Sequence, residues 1–448
     1  MSEQRGAGLA VGDVVIVDVG AVAHGGHCVA RDEGGQVLFV RHTLPGEQVR
    51  ASVTEIGSGG RFVRADAIEV LRAAPGRVTA PCPFSGPGRC GGCDWQHVSL
   101  PEQRRLKAAV VVEQFERLAG ISADALVGPD GVVSAGGIVC EPLAGDDEGL
   151  RWRTRVGVSV SDGRTGLRVH RSHAIQPVDD CLIADQGVVG TGVFQAHPDD
   201  PVVALDVVVP SVGGPVVVAL GEPTHRPRKG RHGRPQSRAP RHTPQPLAPV
   251  PTVTERVGAH DFTLSARSFW QVHPGAATTF TDQVLQWLDP RPGESALDLY
   301  AGVGLFAVPL AERVGRSGRV LAVEADRVAA DAAERHLLPW STASVWADST
   351  ERALADLVAD DEHADVVVLD PPRTGAGRQV VESIAALRPR AVVYVACDPA
   401  ALARDVAVAR EVGLELARLR VFDAFPMTHH MECLALLLPA APSSPELR

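Results

Sequence analysis

From residue 295 onward the chain repeats one unit: a short apolar run, a turn bearing glycine, proline or an acid, then a stretch with helical spacing. "SALDLYAGVGLFAVPLAERVG", "RVLAVEADRVAADAAERHL", "ADVVVLDPPRTG" and "RAVVYVACDPAALARDVAV" follow one another in this form. Strands that alternate with helices join in parallel through crossovers, so the pattern demands an α/β, Rossmann-like sheet with helices packed on it. Ligands of such a sheet gather in the crevice at the carboxyl ends of the strands. The residues that close each apolar run therefore carry the functional information.

The first run ends in "LDLYAGVG", where Gly302 and Gly304 allow a ligand close to the backbone ahead of a helix. A dinucleotide site would begin the same way, with Ala307 as a tolerated third position. Glu324 closes the next run, about 20 residues on, where an acid binds ribose hydroxyls. Asp348 in "VWADST" stands at the following strand end, suited to an adenine amino group, and "LDPPR" puts Asp370 and a rigid Pro-Pro wall at the one after. Any one of these acids could be a helix N-cap. The series, followed by Cys397, suits S-adenosylmethionine better than a nicotinamide.

Cys397 in "YVACDPAALARD" closes an apolar run just before Asp398-Pro399 and a helical stretch. A methyl donor, a pocket for a flat base and a thiol imply a specific chemistry. Carbon 5 of uracil is a poor nucleophile until a thiolate adds at carbon 6. A base must then remove the carbon-5 proton before the thiol can leave. Glu432, opening the last apolar strand in "AFPMTHHMECLALLLP", is the candidate base, with His429 and His430 as alternatives. Cys433 should face the other side of that strand.

Upstream, residues 12–72 alternate apolar and polar residues in short runs broken at glycine, the pattern of a small β-barrel. "PEQRRLKAAVVVEQFERLAG" has helical spacing closed by Gly120, and "RTRVGVSVSDG" with "TGLRVH" reads as a hairpin. Between barrel and helix, "CPFSGPGRCGGC" gathers Cys82, Cys90 and Cys93, with Cys181 of "DDCLIAD" as a possible fourth ligand. Spacing alone does not separate a four-thiolate zinc from an iron–sulfur cluster. Cys28, Cys140 and Cys433 have no visible partner and read as packing residues. The formal charge of −10 hides a tract, residues 225–241, with seven Lys/Arg and no acid. It suits phosphate binding, or equally a solvated insertion. The expected layout is a barrel over 8–74, a central α+β domain over 75–255 carrying the cysteines and a basic Pro/Arg-rich insertion (222–250), and the Rossmann-like domain over 256–440. Apolar runs far short of a membrane span, and a start without a signal-type apolar region, imply a cytoplasmic protein.

Taken together, "SFWQVHP", "LDLYAGVGLF", "VEAD", "LDPPRTG", "YVACDPAALARD" and "AFPMTHHMEC" resemble the RNA (uracil-5-)-methyltransferases, which make 5-methyluridine in tRNA or rRNA from S-adenosylmethionine. The resemblance spans nearly the whole chain, and "LPGEQV" with its flanking strands looks like a TRAM domain, an OB-like RNA-binding barrel. It implies Cys397 as nucleophile and Glu432 as proton acceptor. It implies Gln271, Tyr300, Gly302, Glu324, Asp348 and Asp370 as cofactor contacts, with Gln271 reaching toward the target base. It also implies a [4Fe–4S] cluster on Cys82, Cys90, Cys93 and Cys181, structural or RNA-positioning in role, with zinc the alternative. Two positions depart from the family's pattern: Leu305 where some members are polar, and His273 where many carry Asn. The implied partner is RNA, with no membrane and no obligatory protein partner, the chain acting as a monomer. An amino-group methyltransferase would want an aromatic residue where Arg373 stands and would need neither Cys397 nor Glu432. A non-catalytic RNA-binding protein would not need the acid series.

Overall fold

The computed structural model describes residues 9–126, 138–145, 148–222 and 243–440. The basic tract 225–241 lies outside them. Five strands, β1 (Val14–Val22), β2 (Cys28–Arg31), β3 (Val37–Arg41), β4 (Gln48–Ile56) and β5 (Val63–Arg72), close into a barrel in the order β1-β2-β3-β5-β4. Alternation along β4 puts Val49, Ala51 and Val53 inside, as period-two patterning requires. Helix α1 (Leu100–Gln114) leads out of the cysteine-rich stretch, and Gly120, at φ 63°, closes the turn after it.

β6 (Cys140–Pro142) is followed by β7 (Arg155–Ser161) and β8 (Arg164–Arg168), which form the expected hairpin through Asp162-Gly163. Then come β9 (Ile175–Gln176), α2 (Gln186–Gly190), β10 (Val202–Val208), β11 (Val216–Gly221) and β12 (Gln245–Pro246). Together with β7 and β8 these strands make a six-stranded sheet, β12-β11-β10-β7-β8-β9. β13 (Thr252–Val257) and β14 (His260–Ser265) pair as a separate ribbon.

The C-terminal part runs α3 (Ala276–Leu288), β15 (Ser295–Leu299), α4 (Ala307–Val314), β16 (Arg319–Val323), α5 (Arg327–Leu337), β17 (Ala343–Trp346), α6 (Thr350–Ala359), β18 (Val366–Leu369), α7 (Arg378–Ala386), β19 (Ala391–Ala396), α8 (Pro399–Glu411), β20 (Leu414–Asp423) and β21 (Glu432–Pro439). Its sheet is β17-β16-β15-β18-β19-β21-β20-β6. The first five strands are parallel, and β21 runs antiparallel between β19 and β20. The order reverses between β15 and β18, which opens the crevice where ligands of such sheets bind. All four residues of β18 and all six of β19 are buried, as strands covered on both faces must be. The edge strand β6 comes from the central region of the sequence and pairs in parallel with β20 over Val421–Asp423, so the two regions share one sheet. No helix among the described residues is long and apolar enough to cross a membrane.

Helix α1 buries polar groups against the end of β20. Lys107 and Asp423 are both wholly buried and form an ion pair, and Lys107 Nζ also donates to the Phe425 carbonyl at 3.1 Å. Arg104 Nε approaches the same carboxylate at 3.2 Å. The Gln103 amide donates to the Trp95 and Val98 carbonyls and accepts from Met427 N at 2.8 Å. The loop leading into β21 is thus tied to α1. Lys107→Met leaves Asp423 short of its main counter-charge, and removing one partner of a buried pair costs about 3–5 kcal/mol. A urea melt of this variant should show a loss of that size, and a midpoint equal to the parent's would mean the pair contributes nothing.

Candidate active site

One cavity of about 1150 Å³ opens at the carboxyl ends of β15, β16, β18 and β19. Gln271, Tyr300, Gly302, Glu324, Asp370, Cys397 and Glu432 all line it. Asp348 does not. Its carboxylate accepts from Ser349 N at 2.7 Å and faces Arg352 at 3.5 Å, beyond the cavity wall. The turn after β15 explains part of the arrangement: Tyr300 holds φ 60° and Gly302 φ 55°, which folds the backbone back over the strand end. The Glu324 carboxylate accepts from Gly302 N at 2.8 Å and from Asp326 N at 2.7 Å, so it is fixed in place with lone pairs left over.

The nucleophile and base candidates meet through register. Ala396 of β19 faces Cys433 of β21 in an antiparallel pair, so one step on, Cys397 faces Glu432. Cys433 points into the core and is fully buried, as are Cys28 and Cys140 almost entirely. Glu432 is buried and Asp370 half-buried in the same cavity, and Arg373 is the cation that acts on Glu432. Burial, reinforced for Glu432 by the Asp370 charge, pushes Glu432 well above the usual carboxylate range. Burial pushes Asp370 up to about 7. Two carboxyls in this situation hold a proton that an exposed pair would lose near pH 4. Burial also pushes the Cys397 thiol up to about 12, with Glu432 and Asp370 adding to the rise and Arg373 opposing it.

Two residues that sequence reasoning gave no role, Phe269 and Arg373, stand here, with the two histidines it kept as alternative bases. Phe269 is 70% exposed yet lines the cavity beside Gln271, while Trp270 between them is buried. That alternation in "SFWQ" was the available signal. Arg373 reaches the cavity from the loop after Asp370. His429 Nδ1 lies 2.6 Å from Asp94, and the His430 ring lies against that of His429, centroids 4.0 Å apart and tilted by 40°. Burial lowers His430 to about 3, leaving it neutral at ordinary pH. The barrel also reaches this edge. His24, in the turn between β1 and β2, lies 3.0 Å from Asp398, whose carboxylate caps α8 through Ala401 N. Trp95 Nε1 donates to the Gly26 carbonyl, and Gly26 packs directly against His429.

Cys82, Cys90, Cys93 and Cys181 line a second, small cavity of about 30 Å³, and Gly92 belongs to the walls of both cavities. All four are free thiols. Burial raises Cys90, Cys93 and Cys181, with the neighbouring sulfurs adding to the rise. Among the described residues no group of three or more His, Cys, Asp or Glu side chains is arranged to hold a metal ion, so the four sulfurs converge without forming a closed coordination shell. His273 is buried, with Nδ1 accepting from Gly275 N at 3.1 Å and the ring stacked on Trp152. Leu305 is buried at the back of the glycine turn.

Residues 261–439 match the family tRNA (Uracil-5-)-methyltransferase, and residues 9–68 match the TRAM domain. An RNA methyltransferase of Streptomyces coelicolor, itself uncharacterized, is 45% identical over 96% of this chain and 94% of its own. The 23S rRNA (uracil(1939)-C(5))-methyltransferase of Pseudomonas fluorescens is 32% identical over 96% of each chain. Among solved structures, a Pyrococcus abyssi tRNA (uracil-54, C5)-methyltransferase with S-adenosyl-L-homocysteine covers 94% of this chain and 99% of its own, at TM-score 0.64 and 19% identity, a likeness of fold. A strand-end thiol beside an acid could serve several transfer reactions. Identity at this level along almost the entire length decides among them: the chain belongs to the RNA (uracil-5-)-methyltransferases.

Proposed function

We propose that this enzyme methylates carbon 5 of a uridine in a structured RNA through a covalent bond between Cys397 and carbon 6. The observation that carries the proposal is the cross-strand meeting of Cys397 and Glu432 at the cavity that Asp370 also lines. S-adenosylmethionine, when bound, supplies a methyl group activated on a sulfonium. Gln271, Tyr300, Gly302, Glu324 and Asp370 are the proposed contacts for it and for the base. The Asp348 role is proposed only for a cavity rearranged from the one described. Phe269 offers an exposed ring on which an unstacked base can lie, and Pro371-Pro372 closes the opposite side.

The Cys397 thiol gives its proton to solvent, the thiolate adds to carbon 6, and the electrons of the carbon 5–carbon 6 double bond move onto carbon 5 and the adjacent carbonyl. Arg373 lines the same cavity, acts on the Cys397 thiol, and is the proposed cation for that developing charge. Carbon 5 takes the methyl group, Glu432 accepts the carbon-5 proton, and the carbon 6–sulfur bond breaks to return the thiolate. Accepting that proton requires an ionised carboxylate. Burial raises both carboxyls, Asp370 to about 7 and Glu432 well above its ordinary value, so the pair holds protons at pH values where exposed carboxylates are ionised. The rate of methyl transfer should therefore rise from pH 6 to 8, by up to about tenfold per unit on the acid side. A flat profile would take the pair out of the proton step.

Cys82, Cys90, Cys93 and Cys181 are four soft sulfur donors around one cavity and would hold a [4Fe–4S] cluster, or zinc. A group bound there would supply rigidity to the Cys90–Cys93 loop, whose Gly91 and Gly92 form part of the catalytic cavity wall. The RNA is proposed to be large-subunit rRNA first, from the Pseudomonas relative, and tRNA second. Incubation with labelled S-adenosylmethionine and bulk rRNA and tRNA from cells lacking the protein, followed by digestion to nucleosides, tests both. Label in 5-methyluridine supports the proposal and identifies the RNA. Label in a methylated adenosine or cytidine overturns it.

A further inference from the structure

The loop after Asp370 carries Pro371, Pro372 and Arg373 along the cavity and ends at Gly377, which caps helix α7. No hydrogen bond or ion pair among the described residues fixes the Arg373 guanidinium, so its position is set by the backbone beneath it. Beyond the bonds from Asp370 N to the Leu299 carbonyl and from Gly375 N to the Pro372 carbonyl, that backbone is held by a buried carboxylate. The Asp405 carboxylate accepts from Ala376 N at 2.7 Å and from Gly377 N at 3.2 Å. The Tyr394 hydroxyl donates to the same carboxylate at 2.6 Å and accepts from Ala376 N at 2.9 Å. Asp405 is only 6% exposed, and no Lys, Arg or His among the described residues forms an ion pair with it. Its charge is carried instead by these donors and by the N-terminal end of α7. Gly375, at φ 87°, presses so closely on the anchor that a Cβ there would stand 2.6 Å from the Asp405 oxygen and 3.2 Å from Ala401 Cβ.

Both anchoring residues belong to the unit that presents the thiol. Tyr394 lies on β19 three residues before Cys397, and Asp405 lies on α8, which starts two residues after it. We infer that Asp405 is a positioning residue: with Tyr394 it holds the Pro-Pro-Arg loop at a fixed distance from Cys397, so that Arg373 faces the thiolate and the developing negative charge. This rests on the covalent reading above. A loop freed at Ala376 and Gly377 keeps its residues but not their placement, and misplacement by about 1 Å can cost on the order of 10²-fold in rate.

The test uses the full-length protein and a pool of rRNA and tRNA transcripts made with 5-fluorouridine, whose carbon-5 fluorine blocks release and accumulates the adduct. Asp405→Asn should slow adduct formation by about 10- to 100-fold while the RNA dissociation constant stays within about threefold. Adding Arg373→Ala to it should slow the reaction less than twofold further, because the arginine is already out of place. Hydrogen exchange should speed up by about tenfold or more at residues 373–377 and stay unchanged in β15, β18 and β19. Tyr394→Phe should give a smaller loss of the same pattern. An adduct rate equal to the parent's, full additivity with Arg373→Ala, or protection lost throughout the sheet overturns the inference. If the parent itself forms no adduct, the covalent reading fails, and exchange at 373–377 alone then decides whether Asp405 anchors the loop.

Discussion

Cys397→Ala should abolish methylation, by about 10⁴-fold or more, while RNA and methyl-donor binding stay within about threefold of the parent; losses of this size follow removal of an essential nucleophile. The asymmetry comes from where the thiol sits. Cys397 ends a strand whose other residues are all buried, contributes one small side chain to a cavity of about 1150 Å³, and makes no hydrogen bond that the sheet depends on. Removing it leaves Gln271, Tyr300, Gly302, Glu324 and Asp370 in place around the cavity. What disappears is the addition to carbon 6, without which carbon 5 has no means of attacking a methyl group. Burial, with Glu432 and Asp370, also raises the thiol and disfavours the reactive thiolate, a rise that Arg373 opposes. Cys433→Ala is the control. It removes a fully buried neighbouring thiol on the opposite face and should leave adduct formation intact. Filter assays for methyl transfer and gel shifts for RNA settle the point. Equal loss of binding and turnover in Cys397→Ala would make the residue structural.

Much of this site was readable before any coordinates, for a reason rooted in sheet geometry. In a parallel sheet every strand delivers its last residue to the same edge, so Gly302, Glu324, Asp370 and Cys397 could be grouped without knowing the strand order. The same reasoning failed for Asp348. β17 is the outermost strand, its end lies off the crevice, and Asp348 turns to Ser349 and Arg352 instead. Periodicity reports which face a residue occupies and not what it meets there. Nothing in "QRRLK" announced that Lys107 would pair with Asp423, 316 residues away. Nor did three residues, Cys140–Pro142, have enough length to declare themselves an edge strand of the distant sheet. Phe269 was readable in principle from alternation but carries no charge or thiol to draw notice. The barrel was legible as a barrel, yet its reach to Asp398 and His429 through His24 and Gly26 is a matter of tertiary docking alone.

The second large effect concerns how the reaction ends. Glu432→Gln should allow addition and methyl transfer and then stall, leaving the RNA covalently attached to Cys397. After methylation, carbon 5 carries both its original proton and the new methyl group, and the carbon 6–sulfur bond cannot break until that proton is taken. Glutamine has nearly the shape of glutamate but cannot accept a proton from carbon. The substitution is mild for the fold: Glu432 is 3% exposed, and burial, reinforced by Asp370, disfavours its charged form, so a neutral amide removes an unfavourable charge. Stability should be unchanged or improved, which separates this variant from one that fails through misfolding. A denaturing gel should show a band shifted by the mass of the RNA, labelled from the methyl donor, with product release lowered by about 10²–10⁴-fold, the range for loss of a general base. His429 Nδ1 faces Asp94 at 2.6 Å, and burial lowers His430 to about 3, too weak a base to compete. Asp370 is the carboxylate whose charge acts on Glu432 within the same cavity. A doubly substituted protein, Asp370→Asn with Glu432→Gln, would therefore trap the adduct if the single variant turns over slowly. Free, fully methylated RNA from the double variant at the parent's rate would mean that water, and neither carboxylate, removes the proton.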